Sequence, residues 1–188
     1  KTLREKYMGI IINDAQRLSK LVTDILDLSR LDIGTMKFDF TTFSVKELID
    51  DLKDLVGLQI KNKGLKAIYE IEKDIKLIKG DRSRLIQVLS NLVNNSIKYT
   101  EEGSIKIKAF MKEGKLFMNV IDTGHGIPQS DHKKIFERFY QVDSSYTRKV
   151  GGSGLGLAIC QGILEKHNGR IYVEESIMDK MTKITFYI

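Results

Sequence analysis

Four short stretches of this chain carry residue types able to do chemistry. They are Asn91-Leu-Val-Asn-Asn95-Ser-Ile-Lys98-Tyr99-Thr100, Asp122-Thr-Gly124-His-Gly126-Ile127-Pro128, Phe136-Glu-Arg138-Phe139-Tyr140, and Gly151-Gly152-Ser153-Gly154-Leu155-Gly156. Within the first, Asn91, Asn95 and Lys98 step by four and three residues, so a helix would bring them to one face with Asn94 off it. Amide carbonyl oxygens are hard ligands that suit Mg²⁺ when phosphate and water complete its shell, and a lysine ammonium offers a point charge to phosphate. A solvated polar stripe opposite an apolar face has the same spacing. Asp122 closes an apolar run ahead of Gly-x-Gly, where a carboxylate can accept from an exocyclic amino group and the glycines leave room for a flat ring. By itself, Asp-Thr-Gly reads equally as a turn.

Gly152, Gly154 and Gly156 lead into an apolar helical run, where unpaired N–H groups and the positive helix end favour phosphate. The spacing matches neither Walker A, which needs Gly-Lys-Ser/Thr, nor the dinucleotide fingerprint, which needs a strand immediately before it. The His-Arg-Asp and Asp-Phe-Gly companions of protein kinases are missing as well. The chemistry implied is nucleotide binding at a site of another kind.

Elements that must position these residues can be read from periodicity and caps. Ile11, Leu18, Leu21, Ile25 and Leu28, widened by Val22, Leu26 and Leu31, make residues 2–33 one long bundle helix. After Gly34, the alternation of residues 36–42 predicts a strand. Ser44 and Glu47 have capping-box spacing and start a helix that runs to about Asn62 and stops at Gly64. Strand-like pieces at 66–72 and 75–78 precede a helix capped by Asp81 that carries the first motif. Alternating runs at 104–111 and 116–121 flank Glu113-Gly114 and predict a hairpin. The stretch from Asp122 to Gly152 holds one short helix, about 130–136, and a connection that long is usually functional. A helix over 155–167 and a last hairpin of 170–175 with 182–188 close the chain.

The 188 residues, 41% of them apolar and with scattered charge, are enough for one ordinary core with a small appendage. No apolar run approaches the roughly 20 residues that span a bilayer, and residues 1–20 show no signal-peptide core, so the expected location is cytoplasmic. The single cysteine, Cys160, falls in a periodic apolar segment and reads as an ordinary buried thiol. A net charge of +6 spread along the chain suits several anionic partners, and nucleic acid is not expected among them.

The four stretches resemble, in order, the N box, first glycine box, F box and second glycine box of sensor histidine kinases, within the GHKL ATPase superfamily. The resemblance implies an α+β fold: a two-layer α/β sandwich of Bergerat type, its mixed and mostly antiparallel sheet covered by helices and preceded by one long bundle helix. Residues 1–33 would be the second helix of a dimerisation and phosphotransfer hairpin, 34–43 a linker and first strand, and 44–188 the ATP-binding domain. The resemblance further implies that Asn95, with Asn91 assisting, holds Mg²⁺, that Lys98 contacts phosphate and that Tyr99 packs on the nucleotide. Asp122 would receive the adenine amino group beside Gly124, Gly126 and Ile127. Phe136 and Phe139 would anchor a lid spanning about Tyr140 to Ser153, Arg138 would reach the phosphates, and Gly152, Ser153, Gly154, Leu155 and Gly156 would shape its hinge and bind phosphate.

Gln141 stands where many relatives carry Arg, and Asp179 and Met181 stand where relatives often have glycine, which implies an altered last hairpin. The larger departure is the family's phosphoacceptor box, which none of His125, His132 and His167 matches. The implied function is transfer of the ATP γ-phosphoryl group to a histidine on a helix preceding this chain, for relay to the receiver domain of a response regulator, with ADP as product. The implied assembly is a homodimer through the hairpin in the full-length protein, any membrane tether lying outside these residues. The alternative is a catalytically inactive nucleotide-sensing or dimerisation module of the same fold.

Overall fold

The computed structural model describes residues 3–73, 75, 77–142 and 152–188. Two compact units make up the chain, Lys1–Met36 and Lys37–Ile188. In the first, the unbroken run without proline forms a helix of 31 residues, α1 (Leu3–Ile33), about 46 Å long at the usual rise. Ile11, Leu18, Val22 and Ile25 are exposed along it. It stops where Gly34 turns to φ +74 and the Arg30 carbonyl accepts from the N–H groups of Thr35 and Met36.

The strand expected over 36–42 is shorter and later: only Thr41–Phe43 forms β1. Its antiparallel partner, β3 (Ile78–Gly80), is itself three residues long, so there is no ladder for the preceding residues to join. Phe38 and Phe40 instead place their rings beside the His167 imidazole, 5.8 and 4.9 Å between centroids. The strand expected over 75–78 likewise begins later, as β3.

Helix α2 (Val45–Asn62) begins with the capping box its sequence implied: the Glu47 N–H donates to Ser44 Oγ at 3.2 Å and the Ser44 N–H to Glu47 Oε2 at 3.1 Å. Helix α3 (Arg82–Tyr99) is capped by Asp81, whose Oδ1 accepts from the Arg84 N–H at 3.0 Å. Burial opposes ionisation of Asp81, yet donors from Ser83, Asp39 and Arg84, with the Arg84 charge, hold its carboxyl below the ordinary value. Helix α4 (Gly156–Lys166) packs on α3, as α2 does.

Five strands form the main sheet, β2 (Lys66–Ile71), β4 (Ser104–Lys112), β5 (Lys115–Asp122), β6 (Arg170–Ile177) and β7 (Met181–Tyr187), in the order β2-β4-β5-β7-β6. β2 and β4 are parallel, while every other neighbour pair is antiparallel. Alternate residues Ile105, Ile107, Ala109, Leu116, Met118, Val120, Ile184 and Phe186 are buried, as are Leu48, Leu52, Leu85, Leu89, Leu92, Ile159 and Ile163 of the helices. Each such aliphatic side chain contributes about 1.5–3 kcal/mol on leaving water. The result is the expected two-layer α/β sandwich. Cys160 is part of this core, fully buried with Sγ against the Val88 carbonyl.

The helix expected near 130–136 resolves into two 3₁₀ turns, Gln129–Asp131 and Lys134–Phe136. Ile135 is its one buried apolar side chain, too little packing to repay nucleation of a regular helix. One further tie fixes the helix layer. The buried His167 ring, just past α4, donates from Nδ1 to the Ile163 carbonyl at 2.8 Å and accepts at Nε2 from the Asp81 N–H at 2.9 Å.

Candidate functional site

α3 gives the site its helical wall. Its apolar positions Leu85, Val88, Leu89, Leu92 and Val93 are buried, so the residues one step round the helix are left at the edge of the core. Asn91, Asn95 and Lys98 are all half-buried there, whereas Asn94 is exposed. The alternative of a fully solvated stripe does not fit that burial. Asn91 Nδ2 donates to the Gly156 carbonyl at 3.4 Å, and a Cβ on Gly156 would sit 3.7 Å from the Asn91 amide. Lys98 Nζ donates to the Tyr99 hydroxyl at 2.8 Å and lies over the Tyr99 ring. A Cβ on Gly152 would come within 2.9 Å of that same Nζ, so the second glycine segment meets the lysine through backbone alone.

The sheet supplies the other wall. Asp122 is the last residue of β5, and alternation turns its side chain to the helix layer, where it is buried. Its two oxygens are fixed separately: Oδ1 accepts from the Gly124 N–H at 3.0 Å and Oδ2 from the Ser96 hydroxyl at 2.8 Å. Burial pushes the carboxyl above its ordinary value, and these two hydrogen bonds pull the other way. Gly124 is required next to it, because a Cβ there would lie 2.4 Å from the Tyr99 carbonyl and 2.9 Å from Asp122 Oδ1. The hydroxyl of Thr100, fully buried, finds no protein partner among the described residues and lies 3.0 Å from that same Cβ position.

The loop after Asp122 is held from the last hairpin. The β6–β7 ladder slips at Val173–Glu175, and past the slip Ser176 Oγ accepts from the Ile127 N–H at 2.7 Å. The His125 carbonyl accepts from the Asp179 N–H at 2.8 Å, and His125 Nδ1 lies 3.4 Å from Asp179 Oδ1. Asp179 has φ +55, which accounts for the glycine expected there. Neither Ser176 nor Asp179 carried a signal for this role in the sequence, since both meet the loop only across a long-range turn.

F-box residues divide. Phe136 is half-buried and Arg138 exposed, while the Phe139 ring is 64% exposed and so does not pack as an anchor. It is the Phe139 backbone, at φ +61, that joins the second glycine segment, its N–H donating to the Gly154 carbonyl at 3.0 Å. Gly154, at φ +70, could carry no Cβ, which would stand 2.6 Å from the Phe139 carbonyl carbon. Gln141 Nε2 donates to the Gly152 carbonyl at 2.8 Å. The Leu155 side chain is fully buried in the core, and its N–H donates to Ser153 Oγ, so it meets no ligand through its side chain. Gly151 and most of the stretch expected to form a lid, residues 143–151, lie outside the described residues.

A model of the Histidine kinase-, DNA gyrase B-, and HSP90-like ATPase family matches residues 80–188, which contain every part of this site. The chain belongs to that ATPase family. Among curated relatives, it is 33% identical over 189 residues to the sensor histidine kinase WalK of Bacillus subtilis, covering 99% of this chain and 31% of WalK. It is 36% identical over 160 residues to the signal transduction histidine-protein kinase BaeS of Escherichia coli, covering 85% of this chain and 34% of BaeS. This ATPase chain therefore spans about a third of those proteins. Of solved structures, full-length ShkA in complex with AMPPNP superposes with a TM-score of 0.86 at 25% identity, over 100% of this chain and 39% of ShkA. The histidine kinase ThkA in complex with the response regulator protein TrrA gives 0.78 at 31% identity, over 99% of this chain and 51% of ThkA.

Proposed function

We propose that this chain binds Mg-ATP and delivers the γ-phosphoryl group to a histidine outside these residues, from which it passes to an aspartate of a response-regulator receiver domain. The observation that carries the reading is a doubly fixed Asp122, beside a Gly124 position that admits no side chain, tied through Ser96 to the helix that carries the half-buried Asn91, Asn95 and Lys98. That arrangement suits a flat base with an exocyclic amino group at one end and a polyphosphate at the other. The fit to magnesium is of a particular kind. Among the described residues there is no His, Cys, Asp and Glu cluster able to hold a metal. Amide oxygens are weak ligands alone and suit an ion that arrives with phosphate and water.

Asn95, with Asn91 beside it, would give Mg²⁺ a protein oxygen, and the bound ion would neutralise charge on the transferring phosphoryl group. Lys98 would meet phosphate, held in place by the Tyr99 hydroxyl. Backbone N–H groups at Gly152, Ser153, Gly154 and Gly156 would face phosphate at the start of α4, within reach of its positive end. Ile127 and Gly126 would lie along the base, and Arg138 would add charge from solvent. Phosphoryl transfer asks mostly for positioning and charge neutralisation, which these groups supply.

The acceptor must come from elsewhere, because each histidine here is otherwise engaged. His167 is buried between two backbone groups, His132 Nε2 donates to the Ile127 carbonyl at 3.0 Å, and His125 faces Asp179. Residues 1–33 would be the second helix of a dimerisation hairpin, with 34–43 as linker and 44–188 as the catalytic domain. The exposed apolar stripe of α1 supports homodimer pairing through that hairpin. Among the described residues no helix is long and apolar enough to cross a membrane, in keeping with a cytoplasmic domain whose tether, if any, lies outside them.

Calorimetry of Mg-ADP binding tests the site: wild type binds, and Asp122→Asn and Asn95→Ala bind more weakly. Unchanged affinity in both variants sinks the assignment. A chain extended by the upstream helix should gain acid-labile, base-stable phosphate from ATP. A folded extended chain without that label overturns the kinase reading in favour of nucleotide sensing alone.

A further inference from the structure

The main sheet has two faces, and the helices cover only one of them. On the other, the outward positions alternate with the buried Ile105, Ile107, Ala109, Met118 and Ile184. Seven cations stand there against three glutamates. Lys106 and Lys108 share Glu70, Lys183 pairs with Glu174, and Glu175 lies opposite Lys183 in the ladder. The other four, Lys66, Lys112, Lys115 and Arg170, make no ion pair among the described residues.

Three of those four border a row of aromatic rings. Phe110, Phe117 and Tyr187 stand side by side on β4, β5 and β7, with successive centroids 5.6 and 5.1 Å apart. Lys115 Nζ lies 4.5 Å over the Tyr187 ring, Lys112 is opposite Lys115 in the hairpin, and Arg170 is opposite Tyr187 in the last ladder. Glu113, in the turn between Lys112 and Lys115, pairs with neither. At such separations the rings overlap one another, so they offer half-buried edges, which carry partial positive charge, rather than open faces.

The composition of this face selects its partner. Lysine outnumbers arginine six to one, whereas protein interfaces favour arginine and are poor in lysine. Its centre is polar, because Asn119 and Thr185, each 1% exposed, are tied to one another and to Glu174, so the sheet is not an apolar core waiting for a second layer. The occupied ring faces deny unpaired bases a stacking platform. What remains is a broad field of hydrated ammonium groups around ring edges, complementary to a plane of anionic head groups.

We propose that the open face of the sheet docks on an anionic lipid surface. The contact is peripheral: Lys112, Lys115 and Arg170 lie among the head groups, ring edges rest at their level, and no segment enters the hydrocarbon. Asn95 and Asp122 belong to the helix-covered face, so docking leaves them uncovered and the inference does not rest on the nucleotide reading.

The chain has no tryptophan, so Phe117→Trp reports on this face alone, and Leu58→Trp, at a position 69% exposed on α2, reports on the helix layer. With phosphatidylcholine vesicles carrying about 30% phosphatidylserine, Phe117→Trp emission should shift to the blue and return in about 0.5 M salt. Leu58→Trp should not shift, nor should either variant with phosphatidylcholine alone. Replacing Lys112, Lys115 and Arg170 together by Ala should weaken sedimentation with the anionic vesicles about a hundredfold, at about fivefold per cation. Replacing the exposed Lys46, Lys61 and Lys63 together by Ala, which removes the same charge from α2 and its end, should cost little. If the first triple variant melts below wild type, the salt-reversed shift of Phe117→Trp decides instead. No shift, equal shifts at both reporter positions, binding to phosphatidylcholine alone, or equal loss in the two triple variants overturns the proposal. A Phe117→Trp shift with polyglutamate and none with vesicles also overturns it, and makes the partner an acidic protein.

Discussion

Asp122 and Gly154 stand on opposite sides of one site and are held by opposite means. Asp122 is positioned by side chains: a strand that buries it, a serine on one oxygen and a backbone N–H on the other. Gly154 is positioned by the lack of one, at φ +70 with its carbonyl bonded to the Phe139 N–H and no space for a methyl group. The first wall can change chemistry without changing shape, while the second can hardly change residue without changing shape. Substitutions should therefore separate, affecting binding at one wall and folding at the other.

The largest expected effect breaks the first wall. Asp122→Asn should weaken Mg-ADP by about a hundredfold in calorimetry, the value of a charge-assisted hydrogen bond in a buried site. The unliganded chain should gain stability at neutral pH. Burial raises the carboxyl's pKa in the folded chain, so the folded state keeps its proton to higher pH and stability falls as pH rises from the ordinary carboxylate value through the raised one. Asparagine removes that loss, and melting curves from acid to neutral pH should show the variant overtaking wild type across this window.

At the second wall, Gly154→Ala should cost about 1–2 kcal/mol from the left-handed backbone alone, with more from the crowding of Phe139, and show as a lower melting temperature. Affinity should fall with it. An alanine variant of full stability would mean that the Phe139–Gly154 contact does not set this wall. Asn95→Ala should be narrower still: binding of ADP without magnesium stays near wild type, and the improvement on adding magnesium is lost. The smallest effect should come from Ser96→Ala, which leaves Asp122 Oδ2 with one donor fewer and costs several-fold in affinity, about 1 kcal/mol. Loss of folding in that variant would show that Ser96 belongs to the core rather than to the carboxylate.

The same contrast separates what was legible in the sequence from what was not. Asn91, Asn95 and Lys98 could be placed together because helical period is local, and Asp122 because it ends an alternating run. The capping pairs at Ser44 and Asp81 were visible for that reason too. Partners joined by turns left no such trace. Phe139 pairs with Gly154 fifteen positions away through backbone conformation, and nothing in a phenylalanine announces φ +61. Ser96 had no role in the sequence reading, since only β5 brings Asp122 against it, and Asp179 looked like a departure until its N–H met His125. β1 and the two 3₁₀ turns were misjudged because residue alternation cannot reveal how short a partner strand is, or how little core a segment touches.

The imidazole of His167 has a consequence of its own. It joins the tail of α4 to the residue that starts α3, so the two helices that flank the glycine segment are fastened at the ends far from it. From Asp81 to Asn95 is fourteen helical steps, about 21 Å. A tool clamped at its handle keeps its jaws in register, and small errors at the clamp widen toward the tip. Substituting this ring should misalign Asn91 and Gly156 while leaving both chemically untouched, so accuracy at the phosphate end depends on a side chain that no ligand would ever meet.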